Sequence, residues 1–169
     1  MFQVNDYIIY GESGVCFIAA ITTPPISGVE KDKNYYVLHP CNTLGKTIYT
    51  PVDNDKVSMR KILTKLEAEK LINRIPFLDS IWIENEKSRE GIYKMEMRTY
   101  TCEGCIKIIK TLYLRKAERK AEGKVLTATD EKYSKTAENF LYREISLSLG
   151  ITLEEAKILI ERKIGTSCL

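Results

Sequence analysis

The sequence predicts a two-domain protein in which a small antiparallel β barrel precedes an all-helical bundle. Residues 1–58 contain short β-rich runs separated by turn residues, and from residue 59 onward the apolar positions recur at helical spacing. The 169 residues are 44% hydrophobic and 29% charged, a composition typical of folded domains. We therefore predict a β domain over residues 1–58 and a helical domain over residues 59–169.

The first two strands are predicted to form a hairpin at the N-terminus. Apolar and polar side chains alternate within residues 2–18, and the Gly-Glu-Ser-Gly at residues 11–14 supplies the turn. A loop rich in proline and glycine is expected at residues 24–28. Further strands are predicted over residues 35–38 and 47–52, giving about five short strands, as in a small barrel.

Capping residues mark where the helices of the second domain begin and end. Thr64 with Glu67 three positions later forms a capping-box pattern, and the pair Ile75-Pro76 ends the helix that follows. The remaining helices are predicted over about 84–99, over about 103–121 before Gly123, over about 128–149 after Thr127 and Asp130, and from Thr152 and Glu155 to about residue 163.

Charge and hydropathy limit the classes of partner. Residues 100–124 hold seven basic and three acidic residues, although the net charge of the whole chain is only +3. A local basic patch of this kind favours an anionic partner. No apolar run approaches the roughly 18 residues of a membrane span, and no secretory signal is recognisable. We expect a cytoplasmic protein with no membrane association.

The sequence gives little sign of a metal site or an active site. Cys102 and Cys105 have the spacing of half a zinc site, but there is no second pair of this kind and His39 is the only histidine. Two ordinary thiols near a helix start are the favoured interpretation. His39 and Cys41 share a predicted loop, but a catalytic Cys/His pair also needs an orienting partner and a pocket. No phosphate-binding or dinucleotide motif occurs. We expect no metal, no cofactor and no enzymatic activity.

A series of short motifs follows one order along residues 2–149. The motifs are an aromatic-Val-x-Asp strand with a glycine turn at 2–18, strands at 35–38 and 48–54, the pair Met59-Arg60, a basic helix at 110–116 and a helix at 126–149. Together they resemble the CarD family, also called CdnL, of bacterial transcription regulators. The resemblance implies a Tudor-like or SH3-like barrel that binds RNA polymerase, followed by a helical domain that binds DNA.

On this resemblance, the β domain binds the β subunit of RNA polymerase by β-augmentation. An edge strand supplies main-chain hydrogen bonds, and alternate side chains add specificity. Residues 35–38 and 46–51 are the expected edge. The expected contact residues are Tyr36, Leu38, Ile48, Tyr49, Thr50 and Pro51. The alternative is that Tyr36 and Tyr49 are only half-buried strand aromatics.

The resemblance further implies that the helical domain binds promoter double-stranded DNA at the upstream edge of the melted bubble, which would make the protein nucleoid-associated. Contacts of this kind are largely independent of sequence and involve phosphates and the minor groove. The expected phosphate contacts are Lys94, Arg98, Lys107, Lys110, Arg115, Lys116, Arg119 and Lys132. The bland alternative is that these charges form a solvated helix face.

Two interpretations stay open for the helical domain. Trp82 is either an aromatic wedge against DNA or a packing residue beside Phe77 and Ile81. The domain as a whole either stabilises the open promoter complex or recruits another protein. In the second case the protein is an adaptor that binds the polymerase through its β domain.

Overall fold

The computed structural model describes residues 1–23 and 33–167. The chain divides into two compact units, Met1–Ile62 and Leu63–Leu169. The first is built of strands and the second of helices, which confirms the predicted β-then-α layout. The loop predicted at residues 24–28 lies outside the described residues.

The first unit is a five-stranded antiparallel sheet with the order β4-β3-β2-β1-β5. Its strands are β1 (Tyr7–Tyr10), β2 (Val15–Thr22), β3 (Tyr35–Pro40), β4 (Ile48–Pro51) and β5 (Met59–Lys61). Within the described ranges, no ladder joins β4 to β5.

The sheet extends beyond the boundary predicted at residue 58. Strand β5 pairs with β1, with Arg60 opposite Ile9, so the first unit ends at residue 62. The sequence Met-Arg-Lys shows no alternation of apolar and polar residues and therefore carries no strand signal of its own. Its pairing with β1 makes it a strand.

The turn between β1 and β2 depends on glycine. Gly11 has a φ of +43°, and a Cβ atom at this position would lie 2.8 Å from Val57 Cγ1. Gly14 closes the same turn with a φ of +68°. A side chain at residue 11 would therefore meet both backbone strain and a steric clash.

The core of the first unit lies on one face of the sheet. It comprises the buried side chains of Ile8, Cys16, Ile18, Tyr36 and Leu38. Burial raises the pKa of the Cys16 thiol to about 12, so this cysteine is an inert packing residue.

As far as residue 167, the second unit contains five α-helices joined by short segments. These are α1 (Lys65–Arg74), α2 (Arg89–Met97), α3 (Cys102–Ala121), α4 (Ala128–Leu149) and α5 (Leu153–Ser167), with 3₁₀ turns at Ile75–Phe77 and Glu86–Ser88. The capping boxes predicted at Thr64 and Thr127 are present. Helix α2 is shorter than the predicted 84–99, because the 3₁₀ turn precedes it, and α5 continues past residue 163.

Ile106, Ile109, Leu112 and Tyr113 lie at helical spacing and predict an apolar stripe on α3, but the helix contributes more of its surface to the core. Ile106, Ile108 and Leu112 are all buried, whereas Tyr113 is exposed. Ile108 lies off this stripe and is nevertheless covered, because α3 packs against α2, α4 and the segment that follows α1. The first half of this helix is therefore largely covered, whereas Lys116 and Lys120 in its second half are exposed.

A buried carboxylate joins α2, α3 and α4. Asp130 is fully buried, and its two oxygens pair with Arg89 Nε at 3.0 Å and Arg115 Nε at 3.1 Å. Burial alone would raise the pKa of this carboxyl, but hydrogen bonds from Thr127 and Arg115 and the charge of Arg89 outweigh it, and the pKa lies below its ordinary value. The cluster is stable because the buried charge has partners on two other helices.

We predict that Asp130→Asn destabilises the protein by about 3 kcal/mol at neutral pH, because it leaves two guanidinium groups without their buried partner. The folded pKa of Asp130 is below its unfolded value of about 3.9, so its contribution is present above that pH and is lost as the pH falls through the folded pKa. Urea unfolding from neutral pH downward should show a shallower acid limb for the variant. An equal acid limb would contradict the assignment, and Asp79→Asn, at an exposed site, is the control.

Candidate functional site

The described sheet has two terminal strands, β4 and β5. Strand β3 lies between β2 and β4 and pairs with both. The prediction that residues 35–38 form part of the binding edge is therefore wrong, since the main chain of an internal strand is already used. The edge on this side of the sheet is β4.

The main chain of β4 is open at alternate residues. Val52 N donates to Asn34 O at 3.0 Å and extends the β3–β4 ladder. Because hydrogen-bonded and non-hydrogen-bonded pairs alternate in an antiparallel ladder, the polar main-chain groups of Tyr49 and Pro51 point away from β3. Pro51 has no N–H, so the edge offers the Tyr49 N–H and the carbonyls of both residues.

Half of the predicted polymerase contacts are core residues. Tyr36, Leu38 and Thr50 are buried, because they share the inward face of the sheet. Their side chains are not available to a partner, which corrects the prediction for these three. Tyr49 is 39% exposed on the opposite face, and Ile48 and Pro51 are half-buried.

The opposite edge is chemically different. On β5, Lys61 Nζ pairs with Asp6 Oδ2 at 3.1 Å, and Arg60 Nη1 donates to the Lys61 carbonyl at 3.1 Å. Charged edge residues of this kind oppose the addition of another strand. Strand β4, with the sequence Ile-Tyr-Thr-Pro, carries no charge and is the better candidate for strand addition.

Trp82 is 86% exposed, and Phe77 is 84% exposed. The alternative in which Trp82 packs against Phe77 and Ile81 is therefore wrong. Ile81 and Ile83 are half-buried against the helical core, and Trp82 between them faces outward. This burial pattern is that of an extended segment lying on the core, in which alternate side chains point inward and outward.

Helix α3 holds the start of this segment through a buried lysine. Lys110 is 5% exposed, and its Nζ donates to the carbonyl of Ile75 at 3.1 Å and to that of Leu78 at 2.6 Å. The prediction that Lys110 contacts DNA is wrong, because its charge is used to satisfy the carbonyls at the end of the 3₁₀ turn after α1.

Two further contacts from α3 hold the middle and the end of the segment. Ile81 N donates to Thr111 Oγ1 at 2.8 Å. The Arg115 guanidinium donates to both carboxylate oxygens of Glu86 at 2.7 Å, and this contact lowers the pKa of Glu86. Trp82 therefore projects from a segment that is fixed to α3 on both sides of it.

The other basic candidates fall into two groups. Lys107 pairs with Glu96 at 3.7 Å, and Arg119 Nε donates to the Val125 carbonyl at 2.5 Å, so these two and Arg115 have internal roles. Four basic side chains are exposed and have no ion pair within the described residues. They are Lys94, Arg98, Lys116 and Lys132, the last with its Nζ 5.4 Å from the ring centre of Tyr133.

The surroundings of Trp82 in the sequence are acidic. Residues 77–90 contain four acidic and two basic residues, and both basic residues follow the tryptophan. Of the four carboxylates, only Glu86 has guanidinium partners in the described structure. The negative potential of these carboxylates disfavours close phosphate contacts next to the indole.

A groove between α3 and α4 was not predicted from the sequence. Its volume is about 480 Å³, and Lys116, Lys120, Lys124 and Lys135 line it together with Val125 and Leu126. The spacing of Lys116 and Lys120 by four residues was the available signal, because it places both lysines on one face of α3. Lys124 follows the end of that helix. Lys135 comes from α4, and only the packing of the two helices brings it to the same place.

The cysteine pair belongs to the helical core. Cys102 and Cys105 are buried, and Cys102 Sγ donates to Glu144 Oε2 at 3.1 Å. Within residues 1–23 and 33–167, no group of three or more His, Cys, Asp and Glu side chains is arranged to hold a metal ion. In the same part of the chain, no helix has both the length and the hydropathy needed to cross a membrane.

Residues 2–63 match the family model described as the CarD-like/TRCF RID domain. The match spans the β unit, so this unit of the chain is similar to CarD-like proteins. RID domains are non-catalytic and bind the β subunit of RNA polymerase, which indicates a transcription-related protein that interacts with the polymerase. No match to the chain is found among curated proteins.

We predict that Lys110→Ala destabilises the helical unit by about 2 kcal/mol, because two buried carbonyls lose their donor. Lys116→Ala, in the same helix but exposed, should change stability by no more than about 0.5 kcal/mol. Urea unfolding of both variants measures the difference. Equal stability of the two would mean that the Lys110 ammonium is not held by Ile75 and Leu78.

Proposed function

We propose that the protein is a transcription regulator that binds the RNA polymerase β subunit through β4 and promoter DNA through its helical unit. The observation that carries the proposal is the exposure of Trp82 on a segment that α3 holds in place. A solvent-exposed indole on a fixed segment favours a partner with a flat or apolar surface.

The β4 edge supports the polymerase half of the proposal. The N–H of Tyr49 and the carbonyls of Tyr49 and Pro51 can form a short ladder with an edge strand of the β subunit. The exposed ring of Tyr49 lies next to these groups and supplies the side-chain contact. Ile48 and Pro51, both half-buried, border the same strip.

The DNA half of the proposal places Trp82 at the upstream edge of the bubble. A planar aromatic side chain can stack on a base or hold open a strained base step there. Lys94, Arg98, Lys116 and Lys132 are the exposed cations that would neutralise phosphates, without reading sequence. Neutralising about four phosphates gives a low affinity for DNA alone, so the polymerase would have to hold the protein at the promoter.

The consequence for transcription depends on the promoter. A protein that holds the fork open slows collapse of the bubble and stabilises the open complex. This raises output where melting is rate-limiting and lowers it where escape is rate-limiting. A protein acting on promoters would lie in the cytoplasm, associated with the nucleoid.

A second candidate function is that of a polymerase-bound adaptor whose helical unit recruits a protein. Two observations favour it. The carboxylates of residues 77–90 surround the tryptophan in sequence, and several of the basic side chains on α3, including Lys107, Arg115 and Arg119, make internal contacts. An exposed indole with acidic neighbours is also suited to a basic, apolar protein surface.

We predict that Tyr49→Asp in the full chain weakens binding to the isolated polymerase β lobe by about tenfold or more, because a carboxylate would be desolvated beside the new ladder. Leu66→Asp, at an exposed apolar position of α1, is the matched control and should bind normally. A pull-down or titration calorimetry measures both. Equal binding by all three proteins would mean that β4 is not the contact.

We predict that Trp82→Ala shortens the lifetime of the open complex about fivefold or more, since stacking on a base contributes about 1–3 kcal/mol. Phe77→Ala removes the other exposed aromatic of the same segment and is the control for lost apolar surface. Lifetimes are measured by competitor challenge with saturating protein, and binding to the β lobe should be unchanged. An unaltered lifetime with intact polymerase binding would support the adaptor.

A further inference from the structure

The groove between α3 and α4 combines an apolar floor with a basic rim. Val125 is 80% exposed at its edge, and Leu126 lies beside it. Lys116, Lys120 and Lys135 line the groove, are exposed, and have no ion pair within the described residues. Unpaired cations around exposed apolar side chains are suited to an acidic segment with an apolar anchor.

The carboxylates in the groove do not cancel this charge. Four lysines and two glutamates line it. One of the glutamates, Glu138, accepts a hydrogen bond from Ser134 Oγ at 2.6 Å. The rim therefore keeps a positive excess.

The edge of the groove is held by its own contacts. Arg119 Nε donates to the Val125 carbonyl, and Lys124 N donates to the Arg119 carbonyl at 2.7 Å. Lys124 Nζ pairs with Glu122 at 2.8 Å. The turn after α3 is thus fixed, and the groove exists before any partner arrives, which lowers the entropic cost of binding.

The same chain exposes a segment of the complementary chemistry. Trp82 is its apolar anchor, and the carboxylates of Asp79 and Glu84 are exposed on either side without an ion pair in the described structure. The segment is held to α3 at Thr111 and Arg115 and is itself preformed.

We infer that the Trp82 segment of one molecule docks into the α3–α4 groove of a second copy, with the indole on Val125 and Leu126 and the carboxylates facing the lysine rim. Both surfaces belong to the helical unit and adjoin α3, so two copies can exchange segments reciprocally about a two-fold axis and close as a dimer. The contact is small, so the association is weak and depends on concentration. It stands independently of the proposed function and would compete with any other partner of Trp82.

Duplex DNA is a poorer occupant of this groove. A volume of about 480 Å³ accommodates one or two side chains rather than a duplex. Val125 and Leu126 would also have nothing apolar to contact on a phosphate backbone. The test below also measures whether these lysines bind duplex DNA.

The test uses full-length protein and reciprocal charge reversal. One variant carries Lys116→Glu and Lys120→Glu, the other Asp79→Lys and Glu84→Lys. Sedimentation velocity over a concentration series measures association, and the emission of Trp82, the only tryptophan, reports its burial. A third variant, Lys65→Glu with Lys70→Glu on α1, is the control for a change of two lysines, and circular dichroism checks folding.

We expect wild-type protein to form dimers with a blue shift of the emission, and each charge-reversed variant alone to associate about tenfold or more weakly. Mixing the two variants should restore association, because one contact is then wild type and the other is complementary with the charges exchanged. A protein that stays monomeric at about 1 mM overturns the inference. So does association that survives both reversals, or a lysine reversal that weakens only binding to a duplex DNA oligonucleotide.

Discussion

The second unit depends on one charged cluster, in which the guanidinium groups of Arg89 and Arg115 each contact the carboxylates of Asp130 and Glu86. Asp130 is fully buried and must be paired to remain charged. Arg115 supplies one of its partners, and the same side chain donates to both oxygens of Glu86. The interaction that stabilises the helical core therefore also fixes the segment on which Trp82 stands. A substitution of Arg115 would therefore affect both the stability of the core and the position of the Trp82 indole.

Local signals in the sequence predicted the local structure well. Thr64 and Thr127 accept the hydrogen bonds of their capping boxes, because these depend on residues three positions apart. The burial of Lys110 could not be predicted, since its partners, Ile75 and Leu78, lie 35 and 32 residues away. Strand β5 was not predicted from the sequence for a similar reason, because only its pairing with β1 defines it. The predicted contact residues were the least accurate part of the sequence analysis. Whether a side chain is exposed or paired inside the protein depends on tertiary packing.

On the proposed function, the two units would recognise their partners through different interactions. In the β unit the available groups are main-chain groups of an uncharged edge, so geometry decides which strand can pair with it. In the helical unit the available groups are an indole and scattered charges, so the electrostatic environment decides which partner can bind. The family match reaches residue 63, and the helical unit beyond it carries the proposals on DNA, on an adaptor role and on self-association.

Under the proposed function, Trp82 is held outward by α3 and meets the promoter at the upstream edge of the bubble. A benzophenone photocrosslinker placed at position 82 tests this contact when a complete initiation complex, assembled with polymerase and promoter DNA, is irradiated. We expect a crosslink to DNA at the upstream edge of the bubble, absent when Tyr49→Asp is also present. A crosslink only to protein, or one to DNA that needs no polymerase, would contradict it.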